Sequence, residues 1–98
     1  MPERKPRLEG KVAIVTGAGS RGPGIGNGKA AAVLFAREGA RVLVVDQVRE
    51  RAQETLDMIK AEGGQASVFA GSVIKIEDCQ AMVRTAVERY GRLDILHN

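Results

Sequence analysis

This 98-residue chain contains four short runs of apolar, largely β-branched residues, which are typical of β-strands. Each of the first three runs is followed by a longer segment typical of a helix. The predicted strands are residues 11–16, 41–46, 65–70 and 93–97, and the predicted helices are residues 29–38, 48–62 and 76–90. Regular alternation of strands and helices predicts an α/β fold with a parallel sheet. The continuous apolar character of the strands indicates a sheet covered on both faces.

The two later helices are predicted to be amphipathic, since their apolar residues recur every three to four positions. On the second helix this face comprises Val48, Ala52, Leu56 and Ile59. On the third helix it comprises Ile76, Cys79, Met82, Val83, Ala86, Val87 and Tyr90. We therefore expect Tyr90 and Cys79 to be packing residues.

Composition excludes several classes of protein. Apolar residues make up 44% and charged residues 28%, as in soluble globular domains. The net charge of +3 is modest, and Lys and Arg alternate with acidic residues, so we expect no nucleic-acid partner. No apolar run approaches the length of a membrane span. Residues 1–9 are expected to be a flexible tail without a signal peptide, and residues 10–98 a single partial domain.

Cysteine usage agrees with a reducing compartment. Cys79 is the only cysteine, so an intrachain disulfide is impossible and a cytoplasmic location is expected. No cluster of Cys and His has the spacing of a zinc site, so no metal is predicted. The single histidine, His97, is expected to be a strand residue.

A glycine-rich segment joins the first predicted strand to the first predicted helix, between Thr16 and Gly28. Glycines allow a sharp turn and a close approach of the backbone to phosphate. The N-terminus of the following helix offers unpaired N–H groups and partial positive charge. Because the segment lies between a strand and a helix, it predicts a binding site for the pyrophosphate of a dinucleotide.

Asp46 ends the second predicted strand, where a carboxylate can accept hydrogen bonds from the ribose hydroxyls of adenosine. The same charge would repel a 2′-phosphate, so the prediction is NAD rather than NADP. Arg21 and Arg49 weaken this preference, since either could reach such a phosphate. Asp46 could equally cap the following helix, and the two roles are compatible.

Three segments resemble the short-chain dehydrogenase/reductase family. They are residues 8–20 (LEGKVAIVTGAGS), residues 36–46 (AREGARVLVVD) and residues 90–98 (YGRLDILHN). The resemblance implies a Rossmann-type, doubly wound parallel sheet, here truncated after the fourth strand. It also implies an oxidoreductase that transfers hydride between a nicotinamide and a secondary alcohol or ketone, with a homo-oligomeric full-length parent.

The family's turn has the pattern T-G-x-x-x-G-x-G, and Thr16 and Gly17 match its start. Its last two glycines could be Gly24 and Gly26 or, in better agreement with the spacing to the segment beginning at Arg37, Gly26 and Gly28 with Asn27 between them. The second register implies an insertion within residues 21–25. The predicted pyrophosphate-binding residues are Gly17, Ser20, Gly24, Gly26, Asn27 and Gly28.

The resemblance also implies contacts with the adenosine. Ser72 stands where the family usually has an Asp that bonds the adenine amino group, and either its shorter, neutral side chain or the adjacent backbone would make this contact. Val73 would pack against the adenine ring. Asn98 matches the first Asn of the family's N-N-A-G motif, which lies beside the cofactor.

The family's catalysis requires a Ser, a Tyr and a Lys four residues after that Tyr. Tyr90 is the only tyrosine, and position 94 is Asp. The catalytic residues are therefore expected downstream of Asn98, and the chain alone is expected to be inactive. One alternative is a non-catalytic nucleotide-binding module, truncated or degenerate. Another is a methyltransferase-type fold that binds S-adenosylmethionine, which the segments at both ends disfavour.

Overall fold

The computed structural model describes residues 7–17, 27–72 and 74–97, with only the backbone of Asn27. Strands and helices alternate along these residues, which confirms the predicted α/β fold. Their bounds are β1 Val12–Thr16, α1 Asn27–Arg37, β2 Arg41–Asp46, α2 Arg49–Ala61, β3 Gln65–Ala70, α3 Ile76–Tyr90 and β4 Ile95–His97.

The four strands form one parallel sheet in the order β3-β2-β1-β4. Thr16 of β1 lies opposite Val45 of β2, and Asp46 lies opposite Ala70 of β3. On the other side of β1, Val15 lies opposite His97. The carboxyl ends of all four strands therefore meet along one edge of the sheet.

Helices cover both faces of the sheet, as predicted. α1 and α2 lie on one face, where the core contains Val15, Ala32, Val33, Ala40, Val42, Val44, Ala52, Leu56, Ile59 and Val68. α3 lies on the other face, over Val12, Ile14, Leu43, Val45, Met82 and Ala86. Because β1 and β2 are enclosed between these two layers, all of their residues are buried except Arg41 at the start of β2.

The apolar face predicted for α3 is only partly correct. Met82 and Ala86 are buried, whereas Val83 is 39%, Val87 46% and Ile76 72% exposed. The predicted apolar residues cover a wide arc of the helix, and the described part of the sheet contacts only the arc centred on Met82 and Ala86. On α2, the predicted Ala52, Leu56 and Ile59 are buried, but Val48 precedes the helix and is exposed.

The segments before β1 and β4 are held by backbone hydrogen bonds. The N–H of Leu8 donates to the carbonyl of Glu38 over 2.7 Å, and the N–H of Lys11 donates to the carbonyl of Leu8 over 2.9 Å. Asp94 accepts from the N–H of Val12 through Oδ2 and donates its own N–H to the carbonyl of Val12, both over 2.9 Å. These reciprocal bonds fix the start of β4 beside the start of β1.

Candidate functional site

The connection that leaves β1 begins at Gly17, whose φ of +60° lies in the left-handed region. A Cβ there would meet no atom within 4 Å, so glycine is required by backbone conformation rather than by space. Residues 18–26 lie outside the described residues, and with them the predicted Ser20, Gly24 and Gly26. The choice between the two registers of the glycine pattern therefore stays a prediction.

The N-terminus of α1 has the electrostatic character of an anion site. Its first turn contains Asn27 and Gly28 and no acidic residue, so no carboxylate within this turn offsets the partial positive charge of the helix end. Gly28 is half-buried. Lys29 follows it, is buried, and places its ammonium 3.9 Å from a carboxylate oxygen of Glu54 on α2. This weak ion pair joins the start of α1 to the second turn of α2.

Asp46 is buried, with 7% of its surface exposed, at the carboxyl end of β2. Its Oδ1 accepts a hydrogen bond from the N–H of Val48 over 2.9 Å. Val48 is the N-cap residue of α2 and its side chain makes no capping bond. Asp46 therefore closes the short turn that leads into α2, and this bond fixes the carboxylate at the edge of the sheet. Arg49, the first residue of α2, is exposed.

Ser72 lies in the turn after β3 and is 8% exposed. Its N–H donates to Oδ2 of Asp78 over 2.9 Å. Its Oγ accepts from the N–H of Ile74 over 3.3 Å and lies 3.5 Å from Nε2 of Gln47. The turn is thus bonded both to the first turn of α3 and to the segment after β2. The predicted Val73 and Asn98 lie outside the described residues.

An open cleft of about 360 Å³ runs along this part of the edge. It is lined by Gln47, Ala70, Gly71, Ser72, Ile74, Lys75 and Asp78. Sequence reasoning did not select Gln47 or Asp78 as site residues. Two signals could have found them: Gln47 directly follows the predicted ribose-binding Asp46, and Asp78 is an acid in the first turn of the helix after β3.

The structure brings Gly17, Asp46 and Ser72 to the same edge of the sheet, at the ends of three neighbouring strands. Thr16 Oγ1 donates to the carbonyl of His97 over 3.3 Å, which joins the end of β1 to the end of β4. These groups can hold a ligand by hydrogen bonds and charge. Within the described ranges, no three His, Cys, Asp or Glu side chains lie close enough to hold a metal ion.

Tyr90 lies at the end of α3, away from the carboxyl edge. Its hydroxyl is 2.6 Å from Oγ of Ser67, and the guanidinium of Arg41 lies 5.5 Å from the centre of its ring. Cys79 is partly buried against the core beneath α3. The ring of His97 contacts that of Phe35 edge-on at 5.8 Å, and its Nδ1 is buried without a partner among the described residues.

The shifted pKa values belong to two ion pairs at the opposite, amino edge of the sheet. Arg37 at the end of α1 donates two hydrogen bonds, of 2.6 and 2.8 Å, to Glu62 after α2, and these lower the pKa of Glu62. A 2.7 Å hydrogen bond from Arg92 is the main cause of a lowered pKa of Asp94, and the bond from the N–H of Val12 lowers it further. Both pairs therefore contribute to the fold rather than to the candidate site.

Comparison with known proteins decides the family. The sequence model of the short chain dehydrogenase family matches residues 11–98. The chain belongs to this family. An oxidoreductase of Thermotoga maritima, itself uncharacterised, is 47% identical over 91 residues, which are 93% of this chain and 34% of the relative. The chain spans about a third of the length of this relative and of the solved structures it matches.

Solved structures of short-chain dehydrogenases have the same fold. One from Burkholderia xenovorans superposes with a TM-score of 0.87 at 47% identity, covering 92% of this chain and 36% of that one. A 7α-hydroxysteroid dehydrogenase complexed with NADH and 7-oxo glycochenodeoxycholic acid superposes with a TM-score of 0.85 at 37% identity, covering 94% of this chain and 34% of that one. Among the residues that our structure describes, no helix is long and apolar enough to cross a membrane.

Proposed function

We propose that this chain is the cofactor-binding part of an NAD-dependent short-chain dehydrogenase. The observation that carries the proposal is the position of Asp46, a buried acid fixed at the carboxyl end of β2, next to the strand from which the glycine-rich connection leaves. In open parallel sheets, ligands bind outside the carboxyl ends of the strands. In this arrangement the N-terminus of α1 binds the pyrophosphate and Asp46 binds the adenosine ribose.

The preference for NAD follows from the charge of Asp46. A carboxylate accepts hydrogen bonds from the 2′- and 3′-hydroxyls of ribose, whereas a 2′-phosphate would bring negative charge against it. The backbone N–H of Val48 donates to Oδ1 of Asp46 over 2.9 Å, and this bond orients the side chain. The NADH complex of the related 7α-hydroxysteroid dehydrogenase supports the same cofactor for this chain.

For the complete enzyme we propose oxidation of a secondary alcohol, or reduction of the corresponding ketone. The nicotinamide supplies the hydride chemistry when the cofactor is bound. The residues of this chain bind and orient the adenosine and pyrophosphate. No tyrosine with a lysine four residues later occurs in the sequence, and the single tyrosine, Tyr90, is bonded to Ser67. We therefore expect no turnover by the 98-residue chain alone.

Calorimetric titration of the purified chain with NAD and with NADP tests the proposal. We expect NAD to bind and NADP to bind more weakly. Absence of NAD binding, or tighter binding of NADP, would contradict it. A second assay incubates the chain with NAD and a panel of secondary alcohols and measures the absorbance of the NADH that forms. Cofactor reduction by the chain alone would refute the expected inactivity but not the cofactor site.

A non-catalytic nucleotide-binding module is the second candidate. The two candidates share the nucleotide site and differ in whether a catalytic Ser, Tyr and Lys accompany it. The coding sequence after Asn98 discriminates between the two candidates. A downstream Ser followed by Tyr-x-x-x-Lys supports the enzyme, whereas a reading frame without them supports the module.

A further inference from the structure

We infer that the ammonium of Lys29 strengthens binding of the dinucleotide pyrophosphate by supplying a positive charge close to the N-terminus of α1. Lys29 acts through this charge and not as a direct ligand of the phosphates, since its side chain is directed toward α2. The inference rests on the proposed function, because it adds a residue to the pyrophosphate part of the same site. Neither the glycine pattern nor the resemblance marks this lysine.

Lys29 lies on the face of α1 that packs against the core. Together with Ala32, Val33 and Ala36 it has the spacing i, i+3, i+4 and i+7, which places side chains on one face of a helix. Ala32 and Val33 belong to the core between α1, α2 and the sheet, and Lys29 itself is only 8% exposed. An apolar side chain would fill this position without removing a charge from water, so packing does not account for a lysine here.

The stability of α1 does not account for the positive charge either. A cation in the first turn of a helix faces the partial positive charge of the helix end, and this turn contains no acidic residue. The ammonium lies 3.9 Å from Oε2 of Glu54, which is too long for a hydrogen bond, and the side chain of Glu54 is 67% exposed. An ion pair with so exposed a partner stabilises little, because solvent screens it.

The pyrophosphate of a dinucleotide carries the negative charge that would offset this ammonium. Lys29 is the third residue of α1, so its Cα lies about 3 Å along the helix axis from that of Asn27. At a separation of about 10 Å and an effective dielectric constant of about 20, the attraction between two unit charges changes a dissociation constant roughly tenfold. The lysine and the N–H groups of the helix end therefore attract the same anion without sharing a contact with it.

The test compares two ligands that share the adenosine and differ in the pyrophosphate. The dissociation constants of the 98-residue chain for ADP-ribose and for adenosine are measured by titration followed by NMR, which reaches weak binding. Lys29→Met keeps an apolar stem and removes the charge. We expect ADP-ribose to bind about three- to tenfold more weakly to this variant, and adenosine to keep its affinity within about twofold. A purely structural role of Lys29 would weaken both ligands alike.

Glu54→Gln separates the effect of charge from that of structure. If the ion pair served to hold α1 against α2, this variant would lose affinity for ADP-ribose as Lys29→Met does. If Lys29 serves the pyrophosphate, removing the competing carboxylate leaves the affinity unchanged or increases it, and we expect this result. Because Glu54 is exposed, the variant should fold, and it carries the test if Lys29→Met does not.

Two further variants complete the design. Lys29→Arg keeps the charge and should retain most of the affinity for ADP-ribose. Lys60→Met is the matched control, because it removes one positive charge from the exposed last turn of α2, at the other end of that helix. We expect it to leave the affinities for both ligands unchanged.

Unchanged ADP-ribose affinity in folded Lys29→Met would overturn the inference and leave the cofactor site intact. Equal weakening of ADP-ribose and adenosine in that variant, or weaker binding of ADP-ribose by Glu54→Gln, would overturn it as well, since both results assign the lysine to the fold. If the unmodified chain binds neither ADP-ribose nor NAD, the proposed function itself is wrong.

Discussion

Replacing Asp46 with Asn separates the two roles of this residue, which an alanine substitution would remove together. In Asp46→Asn the amide oxygen can keep the 2.9 Å bond from the N–H of Val48. The other carboxylate oxygen becomes an NH₂ donor, so the side chain loses an acceptor for ribose and its negative charge. Asp46→Ala also loses the acceptor for Val48.

The magnitudes follow from these atoms. A hydrogen bond to a charged group contributes about 1.5–3 kcal/mol, so loss of one ribose contact weakens NAD binding by roughly 10- to 150-fold. Binding of NADP does not weaken in parallel, because the charge that repels its phosphate is also removed. Asp46→Ala additionally removes the hydrogen bond from the N–H of Val48, which costs about 0.5–1.5 kcal/mol of folding free energy. Asp46→Asn should be more stable than Asp46→Ala, because its amide oxygen can keep this bond.

Calorimetry with both cofactors and urea unfolding measure these effects. Asp57→Asn is the control, since Asp57 is an acid on the exposed side of α2 that accepts a hydrogen bond from Gln53 over 3.0 Å. We expect it to change neither the ratio of NAD to NADP affinity nor, by more than about 0.5 kcal/mol, the stability. If Asp46→Asn keeps the cofactor ratio of the unmodified chain while still binding NAD, the ribose role of Asp46 is wrong.

Three further substitutions test the fold around the site. Gly17→Ala should destabilise the chain by about 1–2 kcal/mol in urea unfolding, since φ is +60° and a Cβ has open space; no loss would show that the turn has another conformation. Asp94→Asn should reduce the decrease in the free energy of unfolding that occurs between neutral and acid pH. The hydrogen bonds from Arg92 and from the N–H of Val12 lower the pKa of Asp94 in the folded chain. Its contribution to stability is therefore present above the unfolded pKa and lost as the pH falls through the folded one; an unchanged pH profile would contradict this. Ile14→Ala, in the core, should cost about 2–5 kcal/mol, and Leu96→Ala, with Leu96 59% exposed, less than half of that.

The sequence was sufficient to predict the strands and their order along the chain. A short, continuous apolar run such as that of β1 is compatible with few structures other than a buried strand. The predicted strand 11–16 begins one residue before the observed β1, and residue 93 was placed two residues ahead of β4. The latter difference has a physical cause, since the backbone and side chain of Asp94 are already bonded to Val12 before regular pairing starts.

Exposure and local bonding were harder to predict. Helical periodicity predicts that Val83 and Val87 lie on the same buried face as Met82. Periodicity does not indicate how wide a strip of the helix is covered by the sheet, so it did not predict that these two valines are exposed. Likewise, nothing in the spacing of Ser72 and Asp78 indicates which donor the carboxylate accepts. That bond depends on how the turn after β3 meets α3, which is a property of tertiary structure.

The position of β1 in the sheet has a consequence for the kinetics of folding. Its neighbour on one side, β2, follows closely along the chain, but its neighbour on the other side is β4, and the bond between Val12 and Asp94 spans 82 residues. Closing a loop of this length is entropically costly, and non-local contacts slow folding. β1, from which the glycine-rich connection leaves, can therefore pair with its second neighbouring strand only after β4 has been synthesised. We expect nucleotide affinity to develop in this last, slow step of folding rather than with the early pairing of β1 and β2.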